Sequence, residues 1–184
     1  MNLNTLQPTD EDALWQLQLE LLQEAEFRFG HRDCSKNIYR PSWDSEGPNI
    51  RYTPTKDGAF AELGDNAKSS WRLTVYQLAH ETVHLLDQHG GEQTIFLEEG
   101  TAVRFSLDMM IKYGFDTTGL PSIFSYQTAL ALFDGLGVDS YQVMKNARLT
   151  AGSFNRIDAA TLQTGIPDLS AETIAQLLSK PVMR

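Results

Sequence analysis

Two histidines four residues apart, in the run Leu78-Ala79-His80-Glu81-Thr82-Val83-His84-Leu85-Leu86, constrain this chain more than any other stretch. The run is apolar and holds neither Gly nor Pro, so it predicts a helix. At that spacing both imidazoles leave one face, one above the other. Two neutral ring nitrogens so placed suit one metal ion, about 2.0–2.1 Å away if the metal is zinc. Glu81 follows the first histidine and points to the side of that face. From there it reaches a metal-bound water without ligating the metal, which is where a general base is needed. With four histidines in 184 residues the pattern can also arise by chance, and a lone histidine on an apolar face is more often a core residue. The surrounding sequence has to decide.

A metal ion that catalyses needs a third protein ligand and an open position. Downstream lies Phe96-Leu97-Glu98-Glu99-Gly100-Thr101-Ala102-Val103-Arg104-Phe105. Gly90-Gly91 can end the first helix and turn the chain, so a second helix from about Thr94 would run back antiparallel. Glu99, Ala102, Val103 and Ser106 share a stripe whose small members permit close approach of two helices. Glu98 lies on the neighbouring stripe with Thr101, Ala102 and Phe105. Glu99 is the favoured ligand. Glu98 would then support a histidine from behind, accepting the ring N–H that does not face the metal.

His80-Glu81-Thr82-Val83-His84 followed by Leu97-Glu98-Glu99-Gly100-Thr101-Ala102 resembles the gluzincin group of zinc metallopeptidases, over about residues 71–106. In that group the third ligand is a glutamate on the next helix, commonly in a Glu-Gly-x-Ala context. The interval from His84 to Glu99 is shorter than in many gluzincins. A metzincin is disfavoured, since Asp87 and Gly90 stand where that group needs a glycine and a histidine. The resemblance implies Zn2+ held by His80, His84 and Glu99, with Glu81 as the base in peptide-bond hydrolysis. It also implies a Tyr or His donor to the oxyanion. No motif identifies that donor, and Tyr126 and Tyr141 are the candidates.

Composition bounds the alternatives. A net charge of −9 and a pI near 4.8 supply no basic stripe for phosphates, which argues against nucleic acid and anionic membrane surfaces. Cys34 is the only cysteine, so no intrachain disulfide forms. The first residues lack the signature of a signal peptide, and no apolar run approaches the ~20 residues of a membrane span. The expectation is a cytoplasmic protein of one domain whose partner is a peptide or protein substrate.

Along the chain, Thr9 or Asp10 can cap an opening helix that Gly30 closes. Residues 38–43, 49–53 and 59–63 read as short strands divided by turn formers. The resemblance makes these a small antiparallel sheet, with 59–63 as the edge that pairs with extended substrate. An ordinary hairpin that touches nothing is the alternative. Ser69 or Ser70 caps the metal helix over residues 71–87, and His89 beyond its end suits exposed carbonyls rather than the metal. The second helix should extend to Tyr113, with Met109, Met110 and Ile111 in the core. Helices are expected over 121–136, from 139 or 140 to 147, over 153–162, and from 170 to before Pro181. The expected fold is α+β and zincin-like: helix and sheet in residues 1–68, the metal-binding pair in 69–114 and a helical half in 115–184. Two rival readings stay open. One is a regulatory gluzincin that cuts a single protein, and the other is a non-catalytic zinc-binding interaction domain.

Overall fold

The computed structural model describes residues 3–88, 94–137 and 139–181. His89 and the turn expected at Gly90-Gly91 lie outside the described residues.

The chain opens with helix α1 (Glu11–Phe29). The Asp10 carboxylate accepts from the backbone N–H groups of Asp12 and Ala13, satisfying two donors that the first turn leaves unpaired. Gly30 ends the helix at φ 90°, in the region only glycine enters without strain. Leu14, Leu17, Leu21, Ala25 and Phe29 are buried along one stripe, as the sequence period predicts.

Four short strands follow: β1 (Asn37–Ile38), β2 (Ser42–Asp44), β3 (Asn49–Tyr52) and β4 (Gly58–Gly64). Their arrangement corrects the antiparallel expectation. β1 and β2 both pair with β4 in parallel, and only β3 pairs with it antiparallel. Ala59 pairs with Ile38 and with Tyr52, and Glu62 pairs with Ser42 and with Asn49. Both sides of β4 are therefore taken, and it is the central strand rather than an edge open to substrate. Between β1 and β2 the register slips by one, residues 39–41 lying opposite 60–61, which is the geometry of a bulge. β4 is buried on both faces save for Phe60, the continuous pattern of a covered strand rather than the alternation of a half-exposed one.

Helix α2 (Trp71–Leu85) begins at Ser70, whose hydroxyl accepts from Leu73 N–H. Side-chain contacts seat it. Gln77 accepts from the Gly64 N–H at 2.9 Å, joining α2 to the end of β4. Gln18 of α1 donates to the Thr82 hydroxyl at 2.8 Å. Helix α3 (Phe96–Lys112) packs most closely against α2 and against α4 (Phe124–Asp134). Phe96 N–H donates to Ser179 O at 2.9 Å, tying the start of α3 to the segment after the last helix. Met109 and Met110 are in the core as expected, whereas Ile111 is 65% exposed.

Helices α5 (Ser140–Ala151), α6 (Ala159–Gly165) and α7 (Ala171–Leu177) complete the chain. The helix expected over 153–162 is instead a 3-10 turn (Phe154–Arg156) followed by α6, which starts where the Asp158 side chain accepts from Thr161 N–H. The buried apolar cluster takes in Leu14, Leu63, Leu78, Val103, Met144 and Ile174, so every helical region and the sheet contribute to one core. Among the described residues no helix is long and apolar enough to cross a membrane.

Arg148 joins three distant segments at the end of α2. Its guanidinium donates to both Asp87 carboxylate oxygens, at 2.6 and 2.8 Å, and to the carbonyls of Phe29, Gly30, His31 and Leu86. Asp87 also accepts from Phe154 N–H at 2.9 Å. Both side chains are 3% exposed. A buried charge pair survives where its remaining donors and acceptors are met, and here they are.

Candidate metal centre

The last turns of α2 bring His80 and His84 out on one face, four residues apart, and the first turn of α3 lays Glu98 and Glu99 against them. The Nε2 atoms of the two histidines are 3.2 Å apart. Glu99 Oε2 lies 3.2 Å from His80 Nε2 and 3.8 Å from His84 Nε2. Donors around a tetrahedral zinc at 2.0–2.1 Å stand roughly 3.3–3.4 Å from one another. Two of the three separations match that value closely, and the His84–Glu99 separation of 3.8 Å is somewhat longer. His80, His84 and Glu99 form a buried cluster that could hold a metal ion.

The neighbours orient these groups. His84 Nδ1–H donates to Glu98 Oε1 at 2.8 Å, which turns Nε2 into the cluster. Thr94 donates its hydroxyl to Glu99 Oε1, leaving Oε2 to face the histidines. His80 Nδ1 is buried with no hydrogen-bond partner among the described residues. Glu99 faces the histidine Nε2 atoms while Glu98 stands behind His84, in line with their adjacent helical stripes.

The electrostatics follow from burial. Burial raises the Glu81 carboxyl above the usual range and Glu99 adds to this, against the lowering effect of His80 and His84. Glu99 moves the other way. Burial alone would raise it, but the His84 charge, the contact with His80 and the Thr94 hydroxyl bring it down to about 2. His84 rises to about 10, because Glu99 and Glu98 outweigh the burial that would lower it. Two carboxylates on facing helices are thereby driven in opposite directions, one held as an anion and one poised to carry a proton.

The two tyrosines named from sequence part company. Tyr126, on the first turn of α4, sets its ring 5.0 Å from the His80 ring. Burial and the Glu99 and Glu81 carboxylates push its ionisation well up, so it stays a neutral phenol. Tyr141 gives its hydroxyl to Asp108 at 2.7 Å and packs on Phe29 and Phe133. It is a partly buried residue packed against the core and bound to a carboxylate, and it is not brought to the cluster. Sequence reasoning did not single out Tyr76, which lies one turn before His80 on the same face of α2. The i, i+4, i+8 spacing of Tyr76, His80 and His84 was the signal that could have found it.

Gly100 lies against α4. A Cβ at this position would stand 2.3 Å from the Ala129 carbonyl oxygen of α4. The missing side chain admits α4, and with it Tyr126, rather than α2.

Comparison with protein-family models, with curated proteins and with solved structures finds no match for this chain.

Proposed function

We propose that this protein is a zinc-dependent peptidase of gluzincin type acting on a peptide or protein substrate. The observation that carries the reading is the convergence of His80 Nε2, His84 Nε2 and Glu99 Oε2 beside a buried carboxyl, Glu81, that follows the first histidine. Two imidazoles and one carboxylate are a donor set that zinc favours, and three protein ligands leave a tetrahedral position open. Zinc held there would lower the pKa of a bound water toward ~7 and polarise a carbonyl.

The remaining roles belong to the chain. Glu81, with its affinity for protons raised by burial, accepts a proton from the attacking water and returns it to the leaving amine. Glu98 holds the His84 ring in the orientation that presents Nε2. The neutral phenol of Tyr126 over His80 is the candidate donor to the oxyanion.

The test is the Glu81→Gln variant against a quenched-fluorescent peptide library. Stoichiometric zinc with hydrolysis lost is the expected result, and undiminished turnover would refute the mechanism. The depth of the cluster favours one other reading. His80 and Glu81 are each 3% exposed and Glu99 5%, as in a metal site that braces a fold. Zinc bound by the native chain with no cleavage across the library would support that non-catalytic reading.

A further inference from the structure

Tyr76, His80 and His84 form one stripe on α2. At about 100° per residue, Glu81 sits to one side of His80 and Tyr76 roughly 40° to the other. The Tyr76 hydroxyl is buried with no hydrogen-bond partner among the described residues, and the residue as a whole is 9% exposed. Buried phenols ordinarily have a partner, because an unmet O–H in low dielectric is costly. Gln77, beside it in sequence, spends its amide on Gly64 and Asn66, so nothing on that turn competes for the Tyr76 hydroxyl. Burial, then the Glu99 and Glu81 carboxylates, keep the phenol protonated, so it has a hydrogen to give.

Resting on the metal-site reading above, we infer that Tyr76 is a further catalytic hydrogen-bond donor, addressing the anionic oxygen of the ligand in the open metal position from the side opposite Glu81. The two flanks of the histidine stripe then differ in kind: Glu81 takes a proton, and Tyr76 offers a hydrogen bond and keeps its own. A preorganised donor aimed where negative charge gathers costs no rearrangement at that moment. It also selects for ligands that present an anionic oxygen, such as a hydroxamate, or a carbonyl acquiring charge, over neutral ones.

The experiment uses the whole chain loaded with Co2+ and titrated with acetohydroxamate, followed by the visible absorption of the metal. Wild type is compared with Tyr76→Phe and Tyr126→Phe. Tyr76→Phe is expected to take up Co2+ with wild-type stoichiometry and to unfold no earlier than wild type, since only an unpartnered hydroxyl is removed. Its affinity for acetohydroxamate should fall about tenfold, the size of one hydrogen bond to a charged group. Tyr126→Phe, which removes the donor proposed above, should weaken acetohydroxamate binding as well. A purely structural Tyr76 would move the unfolding temperature without moving that ratio. Unchanged hydroxamate affinity in Tyr76→Phe overturns the proposal, as does loss of Co2+ itself. A tyrosinate charge-transfer band in the Cu2+ form of wild type, absent in Tyr76→Phe, overturns it by making Tyr76 a ligand. Failure of wild type to bind Co2+ removes the metal site and the donor role together, a result distinct from the others.

Discussion

His84 Nδ1 and Glu98 Oε1 stand 2.8 Å apart, and that contact decides which nitrogen of His84 faces His80 and Glu99. The carboxylate fixes the tautomer and stops the ring from turning, while the adjacent Glu99 is left to face the cluster. Glu98→Ala should weaken zinc binding on the order of 10–100-fold, as for a lost supporting contact. Glu99→Ala should abolish stable binding. Competition with a chromophoric chelator measures both, and the reverse order would exchange the roles of the two glutamates.

In the metal-free protein His84 carries a proton at neutral pH, since its pKa is raised from 6.5 to about 10. Its pairing with Glu99 and Glu98 contributes stability that is fully present below pH 6.5 and lost as pH rises through about 10. Glu99 contributes in the opposite sense. Its stabilisation is present above 4.5 and lost as pH falls through about 2. Zinc must displace the His84 proton, so uptake at pH 7.5 should release about one proton from this residue. Calorimetry in buffers of different ionisation enthalpy counts it, and zero release would contradict the assignment.

Gly100→Ala is expected to be destabilising despite the good helix propensity of alanine. Its Cβ would meet the Ala129 carbonyl oxygen at 2.3 Å and the Phe133 Cβ at 3.0 Å. The cost should be about 1–3 kcal/mol, as for other overpacked sites. Urea unfolding gives this number, and a neutral result would mean that α4 moves freely.

Arg148→Ala leaves Asp87 buried without its charge partner and should cost about 3–5 kcal/mol. Replacing both residues with apolar ones of similar volume should recover part of that loss. The double-mutant cycle distinguishes a broken pair from lost packing.

The sequence displayed the local features well and the distant ones poorly. The four-residue spacing of His80 and His84 is helical arithmetic. Asp10, Ser70 and Ser170 cap where short polar side chains are expected to cap. The different positions of Glu98 and Glu99 around the histidines follow from their adjacent stripes. Strand direction was different, because β4 pairs with segments on both sides for reasons no stretch of a few residues contains. Its run Gly58-Ala59-Phe60-Ala61-Glu62-Leu63-Gly64 carries few polar residues, which was a readable sign of a covered strand. Tyr141 could not be separated from Tyr126, since its partner Asp108 lies on another helix.

The Arg148 clamp bears on modularity. All three proposed ligands and the base lie between residues 80 and 99, so the pair α2 and α3 looks like a portable metal-binding hairpin. Cut out at Tyr113, that hairpin would keep every ligand and lose the guanidinium that holds Asp87, three residues past His84. It would also lose the Ser179 carbonyl that receives the Phe96 N–H at the head of α3. The short motif is therefore not a separable device: the ends of both its helices are held by the C-terminal part of the chain, and a transplanted copy would need substitutes for Arg148 and Ser179 before it could be expected to hold zinc.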